Sequence, residues 1–221
     1  MTRSILTTAL AGAIALPLLA LPVQAGKLVQ VVIDHSGVLH DEQDPQGKSG
    51  FNSFLNTFLS DLARQTRRDR NRTQIVLISA VEPPHILWSG TAGDFYRTGV
   101  RSPAVQGVIT GTPNGCNNLP AALDEVMTND QLEAPEESAV HVITSGVHSG
   151  PDCADLSQED YIKLVETADA PVITRLQELT TDVDSVAVHF LTAPQRRAFL
   201  ANINGPETDI KLNAQGQETG L

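Results

Sequence analysis

The chain has 221 residues, with 15 Lys or Arg against 26 Asp or Glu, and a formal net charge of -11. So acidic a chain is a poor partner for nucleic acid or an anionic membrane, because phosphate binding needs basic surface. Residues 1–25 read as a cleavable signal peptide. Arg3 gives a positive start, Ile5 to Leu21 is apolar, and Val23-Gln24-Ala25 has the small-x-small form of a cleavage site. A membrane anchor needs roughly 20 uninterrupted apolar residues, and this run is broken by Thr7, Thr8, Pro17 and Pro22. The expected mature chain is therefore not transmembrane, starts at Gly26, and is periplasmic or secreted in a bacterial envelope. Its roughly 195 residues are a common size for one α/β domain with a single core.

Leu28 to Ile33 is a nearly continuous apolar run, the pattern of a strand buried on both faces. Gln46 to Gly50, QGKSG, has Glu42 where a phosphate-binding loop would start with glycine, so it reads as a turn. Phe51, Phe54, Leu55, Phe58, Leu59 and Leu62 then recur at helical spacing. The following RQTRRDRNR is a solvated basic helix end, suited to the C-terminal dipole. Gln74 to Ala80 is a second buried strand, stopped by Glu82-Pro83-Pro84, with His85 to Trp88 as a short edge strand. Ser102-Pro103 opens a helix that ends at Gly111. Asn117 or Asn118 caps another that runs to Met127, with Pro120 in its first turn. Ala139 to Thr144 is a third buried strand. Ser157 caps a helix with Asp160 at its third position, and Pro171 starts one through Leu179. Ser185 to Leu191 is a fourth strand, and Pro194 opens a last short helix. Residues 205–221 lack aromatics and periodicity and read as a flexible tail, leaving the domain at 26–204.

Strands alternating with helices predict an α/β fold of three layers, Rossmann-like, with a mostly parallel sheet and helices on both faces. Ligands of such folds sit at the C-terminal ends of the strands. Those ends carry Asp34-His35-Ser36 and Thr144-Ser145-Gly146, and the Gly115-Cys116-Asn117 loop feeds a helix on the same side. An even cysteine count in an exported chain favours a disulfide, here Cys116 to Cys153. Closing a loop of that length contributes about 4 kcal/mol and would tie the rim together. The absence of a CxxC motif argues against a redox catalyst or a zinc ribbon. His35, His40 and His148 could gather on the rim as zinc would require, but their spacing does not demand it. His141 and His189 lie inside strands and read as packed core. Ser149 does not form a nucleophile elbow.

Apolar-Asp-x-Ser-Gly, at Ile33 to Gly37, resembles the start of a von Willebrand factor A domain, where D-x-S-x-S supplies a carboxylate and two hydroxyls to magnesium. Asp34 and Ser36 match, whereas Val38 occupies the third position. Gly115 to Leu123, GCNNLPAAL, is similar to the family's G-G-T-N-L-x-x-A-L, with Asn117 at the ligating threonine. Thr144-Ser145-Gly146 is similar to its T-D-G, with Ser145 at the carboxylate. The resemblance spans Leu28 to about Leu200. It implies a degenerate metal site of Asp34, Ser36, Asn117 and Ser145. One carboxylate against a divalent ion that prefers six oxygens predicts Mg2+ binding that is weak or absent. It further implies a non-enzymatic scaffold that binds a protein partner, of unstated identity, through a rim including His35, Thr144 and His148.

Ile33 to Asp41 also resembles the first strand of haloacid-dehalogenase-like phosphatases. Asp34 would be the nucleophile, Ser36 would replace the acid/base aspartate, and Thr144 and Lys163 would bind phosphate. That class needs late aspartates at a strand end for magnesium, and SVAVHFLTAP offers none. This reading is the alternative to the binding module.

Overall fold

The apolar run that opens the domain becomes a central strand. In the computed structural model, which describes residues 26–36, 45–111, 115–150, 153, 157–203 and 210–214, β1 (Lys27–Ile33) is buried along nearly its whole length. Parallel neighbours flank it, β2 (Thr73–Ser79) on one side and β4 (Glu137–Ile143) on the other. The register pairs Ile33 with both Ser79 and Ile143, so the three strands end level. β3 (His85–Thr91) is the antiparallel edge expected after the two prolines, and β5 (Ser185–Leu191) lies parallel to β4. Strand order is β3-β2-β1-β4-β5-β6.

β6 (Ile210–Ala214) corrects the expectation of a flexible tail from residue 205. It pairs parallel with β5, and its Ile210 and Leu212 pack on the core. The strand was hidden because only two of its alternating positions are strongly apolar, and its pairing partner lies some twenty residues away. Residues 1–25, read as a signal peptide, and the remaining tail residues lie outside the described residues.

Two apolar layers sandwich the sheet. On one face α1 (Pro45–Gln65), α2 (Ala92–Arg97) and α3 (Pro103–Thr110) pack on β1 and β2 through Phe51, Leu55, Leu59, Phe95 and Val105. On the other, α4 (Leu119–Glu133), α6 (Ala170–Asp182) and α7 (Ala193–Asn202) pack on β1, β4 and β5 through Leu123, Leu176 and Phe199. α5 (Gln158–Glu166) lies against α7. Helix starts follow the predicted caps: side-chain oxygens of Ser102, Asn118 and Ser157 accept from the backbone N–H of Val105, Ala121 and Asp160. Residues 46–50, expected as a turn, are instead the first turns of α1. Pro45 at the first helical position presets the backbone angle, so the helix starts before the glycines. Among the described residues no helix is long and apolar enough to cross a membrane.

Candidate functional site: a saturated hydrogen-bond cluster at the strand ends

The level ends of β1, β2 and β4 place three loops around Asp34. Backbone bonds hold them there: the Asp34 N–H donates to the Ile143 carbonyl, the Ala80 N–H to Ile33 and the Asn118 N–H to Ala80. A short bridge between Val81 and Asn117 aligns the loop before α4. The Cys116–Cys153 disulfide, with Cα atoms 5.4 Å apart, joins that loop to the one after β4. Gly146 adopts φ 88°, and a Cβ there would come within 2.8 Å of Leu191 and Gln195, so only glycine lets this loop lie against α7.

The Asp34 side chain is fully buried. Its Oδ2 accepts from Asn117 Nδ2 at 2.8 Å and from the Thr144 hydroxyl at 2.9 Å, and its Oδ1 from the Ser36 N–H at 3.2 Å. Asn117, also at 0% exposure, uses all of its amide. Nδ2 donates a second time, to the Val147 carbonyl at 2.8 Å. Oδ1 accepts from the Ser149 N–H at 2.7 Å and the Ser149 hydroxyl at 2.9 Å. The Asn117 N–H completes a ring by donating to Ser149 Oγ. These partners fix the amide orientation: turned over, it would set oxygen against a carboxylate and a carbonyl, and NH2 against an N–H.

The expected ligand positions are thus engaged differently from one another. Asp34 and Asn117 meet directly, but through a donor nitrogen. The Ser145 hydroxyl accepts from the Val147 N–H and is not a partner of Asp34. The Ser36 hydroxyl is buried without a partner among the described residues. As placed, these residues do not fit magnesium, a hard ion that takes oxygen ligands. The position that should offer a second oxygen offers an N–H, and its own oxygen is already held by Ser149. Val38 lies outside the described residues.

Thr144, expected on the rim or, in the phosphatase reading, at phosphate, is a direct partner of Asp34, and its hydroxyl also accepts from the Gly146 N–H. His148 pairs through Nδ1 with Asp169, the residue before α6, which explains why Asp169 does not cap that helix with its side chain. His35 is held toward its neutral form chiefly by burial, and its Nδ1 has no partner among the described residues. His40 lies outside the described residues, and among the described ones no three metal-binding side chains converge. Lys163 faces Glu159 and Asp160 on α5 and is not a partner of Asp34. Ser149 is the member that the sequence did not reveal, since it sits 32 residues from Asn117 and no short motif joins them.

No protein-family model matches the chain, and no curated protein matches it. Solved structures do. Proximal thread matrix protein 1 from the mussel byssus aligns at 13% identity and a TM-score of 0.56, over 87% of this chain and 44% of that one. The PilB minor pilin from Streptococcus sanguinis aligns at 11% and 0.54, over 88% and 58%. The pilus adhesin SpaC from Lactobacillus rhamnosus GG aligns at 14% and 0.54, over 88% and 28%. This chain therefore spans less than two thirds of each of these proteins. With a mostly parallel six-stranded sheet, helices on both faces and the Asp34, Asn117 and Thr144 loops meeting at one end, the chain has a von Willebrand factor A-like fold.

Proposed function

We propose that the protein is an exported binding module of the von Willebrand factor A type, periplasmic or secreted. It meets a protein partner through the rim at the strand ends, with magnesium binding weak or absent. The observation that carries this reading is the saturated amide of Asn117. It gives the buried carboxylate of Asp34 a permanent internal donor and ties the three rim loops into one rigid surface. A pilus adhesin and a minor pilin stand among the similar folds, and the leader read at residues 1–25 supports export. Catalysis is not part of the proposal, because a nucleophile must reach its substrate and Asp34 is fully buried among donors.

Calorimetric titration with Mg2+ or Mn2+ is expected to give no saturable binding below about 1 mM. Tighter binding that disappears in Asp34→Ala would overturn the metal part of the proposal. For the partner, a photo-crosslinker at exposed Pro83 or His85 on the rim is expected to capture an envelope protein. The same probe at exposed Leu132, at the far end of α4, is expected not to. Equal capture from both ends would sink the rim assignment. Asp34-dependent hydrolysis of p-nitrophenyl phosphate would replace the binding module with the phosphatase reading.

A further inference from the structure

The helices do not cover the sheet evenly. On the α1 face the apolar layer belongs to β1 and β2, and only Ile143 and Phe190 join it from β4 and β5. Beyond α1 the same face of β4, β5 and β6 is open among the described residues. It forms a cavity of about 700 Å³ with Leu62 of α1 on one wall and Ala139, Ala187 and Asn213 on its floor. That volume falls within the usual range for small-molecule sites. It lies toward the other end of the strands from Asp34, since Lys27, Thr73 and Ser185, the first residues of their strands, all line it.

Two histidines stand at its centre, one from each of two adjacent strands. Asn213 Nδ2 donates to His189 Nδ1 at 3.2 Å, so the His189 proton lies on Nε2, which donates to His141 Nδ1 at 3.1 Å. His141 is then protonated on Nε2, and that N–H has no acceptor among the described residues. Both rings are neutral. Burial, then the neighbouring His189, Lys27 and Lys211, lower His141 to about 3, and burial lowers His189 to about 4. The charged groups lining the cavity are Lys27, Lys211 and Asp69. Lys27 is paired with Glu137, whereas Lys211 has no ion pair among the described residues. Asp69 stands on the β2 side of the cavity, far across the sheet from β6.

We propose that this cavity binds a small amphipathic organic anion, a carboxylate on an apolar body, with its charged end at Lys211 and the His141 Nε2–H. The body lies along Val29, Leu62 and Ala187, and Asp69 disfavours the reversed orientation. Attraction comes from an ammonium group and a preoriented neutral donor, so binding does not require a protonated imidazole.

The probe is 8-anilinonaphthalene-1-sulfonate, an anion with an apolar body, whose fluorescence rises on burial. The protein is expected to bind it saturably, with release by octanoate but not by octylammonium. Lys211→Ala is expected to weaken binding roughly tenfold. Ala187→Trp, which fills the floor beside Lys211 while removing no charged group, is expected to abolish it, with thermal melts checking that each variant is folded. Affinity is expected to stay level between about pH 6 and pH 8, because neither imidazole titrates there. Equal displacement by octylammonium, unchanged binding by Lys211→Ala, or an affinity that falls as pH rises through the ordinary histidine range would overturn the proposal.

Discussion

The exchange that defines the strand-end site is an amide where the resembling family places a hydroxyl ligand. A buried carboxylate is tolerated only when donors surround it, and Asn117 provides one while closing a ring with Ser149 and Val147. Asn117→Ala would leave a carboxylate, a carbonyl and the Ser149 N–H short of partners in a dry place. The expected loss is about 3 kcal/mol, read as a lower urea midpoint. Ser36→Ala is the contrasting case: its hydroxyl has no partner among the described residues, so its removal is expected to leave stability unchanged or slightly raised. If the two variants behaved alike, the ring would not be what holds this end together. Asp34 and Asn117 were legible from short motifs, because strand ends and helix caps leave local signatures. Ser149 was not, because its role exists only once two loops far apart in sequence meet.

Among the elements, β5 departs most from regularity. Phe190 adopts φ 67°, and the pairing with β6 shifts register between Val188 and Leu191. This bulge turns two successive side chains, His189 and Phe190, toward α1, where both meet Phe54. Without it Phe190 would point to the opposite face. His189 lies on the His141 face by the regular pairing of β4 with β5, and the pair makes stability depend on pH. In the folded protein these imidazoles titrate at about 3 and about 4 instead of at 6.5. Between those values the unfolded chain binds more protons than the folded one, so stability rises with pH across the window and falls as the solution is acidified. Each histidine contributes up to about 1.4 kcal/mol per pH unit there. Urea unfolding at about pH 7 and about pH 5 is expected to show the loss, and His141→Phe is expected to reduce the slope. An unchanged midpoint between the two pH values would mean that the rings are not buried neutral.

At the level of the whole molecule, the last strand completes a sheet that would otherwise end at β5. Its Ile210 and Leu212 lean on the α4-side core, and the Arg196 guanidinium donates to the Leu212 carbonyl. Removing residues 205–221 is expected to cost roughly 2–3 kcal/mol in lost apolar burial. It would also bare the edge of β5, an apolar strand able to pair with another copy. Size-exclusion chromatography at rising concentration is expected to show self-association of the shortened protein but not of the full one. A shortened protein that stays monomeric with an unchanged melting temperature would show that β6 is dispensable.

The sequence by itself determined the alternation of strands and helices, the caps at Ser102, Ser157 and one of Asn117 and Asn118, the disulfide partners and most of the residues gathered at the strand ends. Each is written in local periodicity, in capping chemistry or in a count of two cysteines. Tertiary structure decided the rest: β6, the bulge at Phe190, the ring that Ser149 closes on Asn117, and the open face beside β4 to β6. Those depend on which distant segments pair and on where the helices stop covering the sheet. Such long-range contacts leave no mark in a short window of residues.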